Sequence, residues 1–237
     1  MDPTADIQNT GGRPYREADA CTDFDILQYL PEKAGEEEMP VSTKGAMKQI
    51  KAYIAARGFC YQEELIENFF LSLKSKPFVI LAGVSGTGKT RLVRLFAQAI
   101  GAECKLVPVR PDWSDGSDLF GHFDLSGNFL KGPVCECFEM AYAKPNKPVF
   151  LCLDEMNLAR VEYYLSDFLS VLETREKQDD GTITTEKIAQ YERGIPDNLY
   201  LVGTVNMDET TFPFSKKVLD RANTIEFSFV DLIPSFE

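Results

Sequence analysis

The stretch Gly83-Val84-Ser85-Gly86-Thr87-Gly88-Lys89-Thr90 limits this chain more than any other feature, because it follows an all-apolar run, Phe78 to Ala82, and leads into a helical pattern. Its glycines let backbone N–H groups turn inward around phosphate oxygens, and the first turn of a following helix adds partial positive charge. Lys89 reaches a β- or γ-phosphate as a point charge, and the Thr90 hydroxyl is placed to ligate Mg²⁺. An ordinary glycine-rich strand-to-helix turn accounts for neither of those two side chains. The pattern therefore implies a phosphate-binding loop for a nucleoside triphosphate.

A second apolar run, Val149 to Leu153, ends in Asp154-Glu155, which puts both carboxylates at the carboxyl edge of a sheet, where ligands bind. Asp154 is suited to hold Mg²⁺ and Glu155 to orient and deprotonate an attacking water. Alone, such a pair reads equally as a solvated turn; beside the phosphate loop it is the second half of one site. The run Leu199 to Val205 ends in Asn206, which either positions the lytic water without adding charge or is a simple turn residue. Arg221 either points into a neighbouring subunit's nucleotide or makes a surface ion pair with Asp220 or another residue nearby.

Strand-like and helix-like segments alternate from about Thr43 onward, the signature of a parallel sheet covered by helices. Met47, Ile50 and Ile54, then Leu65, Ile66, Phe69, Phe70 and Leu73, predict two helices before the first strand, with a break at Gly58. Strands are expected at Phe78 to Ala82, Lys105 to Val109, Val149 to Leu153, Leu199 to Val205 and Thr224 to Phe229. Helices follow near Leu92 to Ile100, Val134 to Tyr142, Val161 to Leu172 and Ser215 to Ala222. Pro111 to Gly132 reads as a long loop with a hairpin at Ser126, Gly127 and Asn128, and Gln178 to Arg193 as a polar insertion. The organisation expected is an acidic, flexible extension over 1–43, a helical lead-in over 44–76, an α/β core with a parallel five-stranded sheet over 77–230 and a short tail over 231–237. Within the extension, Phe24, Ile26, Leu27, Tyr29 and Leu30 are a short apolar stretch, read as one helical turn or a docking peptide.

Composition removes several function classes. A formal charge of −12 argues against adhesion to nucleic acid through a basic surface of this chain. No run approaches the about 18 to 20 apolar residues of a membrane span, and the polar N-terminus has no signal-peptide core, so the expectation is a soluble, cytoplasmic protein. With one histidine and six cysteines in no CxxC pair, a structural zinc site is not expected. Glu103-Cys-Lys105 imitates the end of a nuclease motif, but Pro111-Asp112 follows it instead of preceding it.

In their order, the phosphate loop, Asp154-Glu155, Asn206 and Arg221 resemble the AAA+ superfamily of ring-forming nucleoside triphosphatases, over roughly residues 45 to 230. Asp154-Glu-Met-Asn-Leu-Ala159, a helix ending Val171-Leu-Glu173, and Gly203-Thr-Val-Asn206 leading to Lys217-Val-Leu-Asp-Arg221 look like the branch holding McrB, MoxR and dynein-related ATPases. The nearest likeness is to McrB-like proteins, motor subunits of modification-dependent restriction systems. The resemblance implies Mg²⁺-dependent hydrolysis of ATP or GTP, Asn206 as sensor and Arg221 as a finger acting in trans. It also makes the insertion a hairpin preceding the sensor. A homo-oligomeric ring, a hexamer in the family, is expected, with a partner nuclease and contact with DNA through that complex. Such modules continue into a helical lid, and none is expected here before Glu237. The alternatives are a MoxR-like protein remodeller and a nucleotide-binding module without turnover. Base contacts are placed around Phe59 to Leu65, and the loop Arg110 to Asp118, with Trp113, either faces a pore or partner or caps the core.

Overall fold

The computed structural model describes residues 43–188, 191, 193–207 and 211–227. The expected N-terminal extension and the stretch past Phe227, lid included, lie outside the described residues. Two helices, α1 (Thr43–Ala55) and α2 (Glu63–Ser75), precede strand β1 (Phe78–Gly83), as their apolar spacing predicts. Then come α3 (Lys89–Ala99), β2 (Glu103–Pro108), α4 (Ser117–Phe120), a hairpin of β3 (Gly121–Phe123) and β4 (Phe129–Lys131), and α5 (Pro133–Ala143). Strand β5 (Val149–Asp154) leads through a 3-10 turn, Met156–Leu158, into α6 (Val161–Tyr164) and α7 (Ser166–Leu172). A small hairpin of β6 (Glu176–Lys177) and β7 (Ile183–Thr184) precedes β8 (Leu199–Asn206), α8 (Lys216–Leu219) and β9 (Asn223–Phe227).

The main sheet has five strands in the order β2-β5-β8-β1-β9, every neighbouring pair parallel. Parallel strands covered on both faces carry apolar residues at nearly every position, and period-two alternation divides them between two cores. Phe78, Ile80, Leu151, Leu153, Leu199 and Leu201 pack with α4 to α7. Val79, Leu81, Phe150, Cys152, Tyr200 and Val202 pack with α1 to α3. On the latter side Phe96 meets Phe69 and Phe150 edge-on, with centroids 5.0 and 6.2 Å apart.

Two expectations are corrected. The single helix over Val161 to Leu172 is broken: Tyr164 is fixed by its hydroxyl on Met156 O (2.8 Å) and its ring against Trp113, and Leu165 takes φ −106°, ψ 9°. The loop over Pro111 to Gly132 holds the helix α4, which starts where the Asp115 carboxylate accepts the Ser117 N–H at 2.8 Å. The Ser117 hydroxyl and then its N–H hold the Asp115 carboxyl below its ordinary range. Trp113 is buried edge-on to Tyr164 at 5.3 Å, so it caps the core. No described helix is long and apolar enough to cross a membrane.

Phe96→Ala is expected to lower unfolding free energy by about 3–5 kcal/mol, because the site is fully buried and ringed by aromatics that collapse only partly. Urea denaturation measures this, and a loss under about 1 kcal/mol would show that this layer is loosely packed.

Candidate nucleotide site

Strand parity and sheet order assemble the site. Asp154 has the parity of Phe150 and Cys152, and Thr204 and Asn206 that of Tyr200 and Val202, so all three point to the face on which α3 lies. Leu153 pairs with Gly203 and Gly83 with Asn206, which brings the ends of β5, β8 and β1 to one edge of the sheet. The phosphate loop leaves β1 there. Gly86 (φ 79°) and Gly88 (φ 87°) adopt the left-handed conformation that lets the loop curl before α3.

Lys89 is buried, and its ammonium donates to Gly83 O (3.0 Å), Val84 O (2.7 Å) and Thr87 Oγ1 (3.4 Å). A buried cation requires such acceptors, and an anionic phosphate oxygen is a stronger one than a carbonyl. The Thr90 hydroxyl donates to Asp154 Oδ1 at 2.5 Å, and the Thr204 hydroxyl donates to the same oxygen at 2.7 Å. Thr204 Oγ1 in turn accepts the Glu155 N–H at 3.0 Å. A hydroxyl and a carboxylate held together at the mouth of the loop are the hard oxygen donors that Mg²⁺ takes, so the residues present fit that ion.

Glu155 departs from the strand with φ 52°, ψ 47°, the one described non-glycine residue with positive φ. That conformation costs on the order of 1–3 kcal/mol and persists only where the surroundings determine it. Here they do: Thr204 holds its N–H, and Asn206 Nδ2 donates to its Oε1 at 2.8 Å. Behind the turn the buried Met156 lies against Gly203, where a Cβ would come 1.9 Å from Sδ. Thr204 and Gly203 were not singled out from sequence as site residues, although alternation within Gly203-Thr-Val-Asn206 places Thr204 on the face of Asn206.

Of the stretch Phe59 to Leu65, Tyr61 reaches the loop: its hydroxyl donates to Gly88 O at 2.9 Å, and burial pushes its pKa up to about 12. Beside it, the Arg91 guanidinium lies 4.6 Å from the Phe59 ring centroid. Arg221 stands apart from these groups. It donates to Leu169 O at 3.0 Å and to Lys217 O, and pairs with Glu173, not with Asp220. The insertion is anchored, with β6 and β7 paired, Ile188 bridged to Arg193, and Ile188 and Ile195 buried in the core.

A family model described as AAA domain (dynein-related subfamily) matches residues 78–222, more than half of the chain. No curated protein matches it.

Gly203→Ala is expected to cost about 1–3 kcal/mol by forcing Met156, and with it the Glu155 turn, out of place. Urea denaturation of Gly203→Ala, Met156→Ala and the double variant tests the contact. Smaller loss in the double variant than the sum of the two is expected, and strict additivity would contradict it.

Proposed function

Because the chain belongs to the dynein-related subfamily of AAA domains, and so carries an AAA+ ATPase core, we propose that it hydrolyses ATP or GTP with Mg²⁺ as a ring-forming motor. We further propose that it serves a partner nuclease acting on DNA, in the manner of McrB-like proteins. The observation that carries the hydrolytic reading is the joining of Thr90, Asp154 and Thr204 into one set of hydrogen bonds, with Glu155 held beside it by Asn206. A solvated turn requires none of these contacts.

Lys89 and the amides of Gly83 to Thr90 bind the β- and γ-phosphates. Thr90 and Asp154 would hold the metal. When bound, Mg²⁺ draws charge from the phosphate oxygens. Glu155 orients the attacking water and accepts its proton on a carboxylate oxygen, while Asn206 fixes that carboxylate by its amide without adding charge. The left-handed turn and the Asn206 amide set the Glu155 carboxylate, whereas Thr90 and Thr204 hold that of Asp154, so the two acids serve different atoms. Phe59 and Tyr61 flank the loop on the side assigned to the base. Arg221 acts on a neighbouring subunit's nucleotide from the end of α8, where Leu169 O and Glu173 orient its guanidinium.

Lys89→Ala is expected to lower affinity for a fluorescent nucleotide by about a hundredfold or more, since it removes a charged donor to phosphate. Glu155→Gln is expected to keep affinity within about threefold while turnover falls by about 10²-fold or more, trapping assembled rings visible by light scattering. Arg221→Ala is expected to spare single-subunit binding and to lose turnover in the assembly, whereas Glu173→Gln, which keeps the guanidinium, retains most of it. Retained affinity in Lys89→Ala would sink the loop assignment. Equal losses in Arg221→Ala and Glu173→Gln would reduce Arg221 to a brace between α7 and α8.

A further inference from the structure

We infer that Asn157 is a positioning residue: it clasps the segment leading into α8 to the turn that carries Glu155, so that the nucleotide site sets the placement of α8 and Arg221. The inference rests on the reading of Glu155 and Asn206 given above, and adds a route by which their state leaves the site.

Asn157 lies in the 3-10 turn, two residues after Glu155, and is only 4% exposed. Its side-chain nitrogen donates to Thr211 Oγ1 at 2.5 Å, and its main-chain oxygen accepts the Phe212 N–H at 3.0 Å. Two residues earlier, Glu155 Oε1 accepts from Asn206. One short turn thus grips the chain at both ends of the stretch from Asn206 to Phe212, one grip through the carboxylate assigned to catalysis and the other through Asn157. Just beyond the turn, at the start of α6, Arg160 lies 5.1 Å from the Phe212 ring centroid.

The turn is fixed to β8 and α6. Met156 is wedged against Gly203, and its carbonyl oxygen accepts the hydroxyl of the fully buried Tyr164. Beyond the second grip, Phe214 packs on the core, Ser215 starts α8, and Arg221 follows its last turn. Packing alone does not account for an amide at position 157. Its Oδ1 is buried with no hydrogen-bond partner among the described residues, an unfavourable state that a leucine of similar size avoids. What the amide provides, and leucine does not, is the donor to Thr211. Displacement of Glu155 or Asn206 at the nucleotide site therefore shifts both grips together, and α8 with them.

Hydrogen exchange of the full chain tests this, comparing wild type, Asn157→Ala, Thr211→Val and Thr211→Ser, each with and without Mg²⁺-ATP and Mg²⁺-GTP. In wild type, nucleotide is expected to change exchange across residues 211–222 by about threefold or more. Asn157→Ala and Thr211→Val are expected to lose that response while still binding nucleotide, and to raise exchange of the Phe212 amide by about tenfold without nucleotide. Thr211→Ser, which keeps the hydroxyl, is expected to behave as wild type. A response that survives in Asn157→Ala, or that differs equally in Thr211→Ser and Thr211→Val, overturns the inference. If wild type binds neither nucleotide, the proposed function fails, and the clasp is then judged by Phe212 exchange in the nucleotide-free variants, where unchanged protection overturns it.

Discussion

The carboxylate of Asp154 accepts hydrogen bonds from two hydroxyls far apart in the sequence, Thr90 at the start of α3 and Thr204 on β8. This three-way junction exists only because β5, β8 and β1 lie side by side and parallel, with Leu153 level with Gly203 and Gly83 level with Asn206. Slipping any of these strands by one residue would turn its polar terminus to the other face, among the side chains of α4 to α7. The two apolar cores thus do more than stabilise the sheet: they hold register, and register brings the carboxylate and hydroxyls together.

From that junction the rest of the site is set by short steps. Thr204 uses its hydroxyl proton on Asp154 and its lone pair on the Glu155 N–H, so one side chain aligns the residue assigned to the metal and the turn assigned to the water. Glu155 takes a conformation rare for a residue with a side chain, and Gly203, by having none, leaves the space that Met156 needs behind it. Arg221 belongs to a different surface, bound to the end of α7 by a carbonyl and by Glu173.

Much of this was legible in the residues. Phe78 to Ala82 and Val149 to Leu153 were readable as buried parallel strands because nearly every position is apolar, and the glycine loop with Lys89 and Thr90 has few other physical explanations. The breaks in regular structure were harder. Leu165 interrupts a periodic helix because Tyr164 is pinned by Met156 and Trp113, contacts made outside the helix itself. Helix α4 depends on an Asp115 side chain in a stretch that reads as a turn. Thr204 was within reach of strand parity, whereas Asn157 and Tyr61 act through partners 54 and 27 residues away, which no local pattern encodes. The partner of Arg221 was open between Asp220 and another neighbour, and tertiary packing selects Glu173.

The most direct measurement is phosphate release by the purified chain with Mg²⁺ and either ATP or GTP, followed across protein concentration. A junction that binds the metal beside a positioned base predicts release with at least one of the two nucleotides, and action by Arg221 in trans predicts that release per subunit rises with concentration. No release with either nucleotide, at concentrations where the chain binds nucleotide and assembles, would contradict the hydrolytic reading and leave a binding module without turnover.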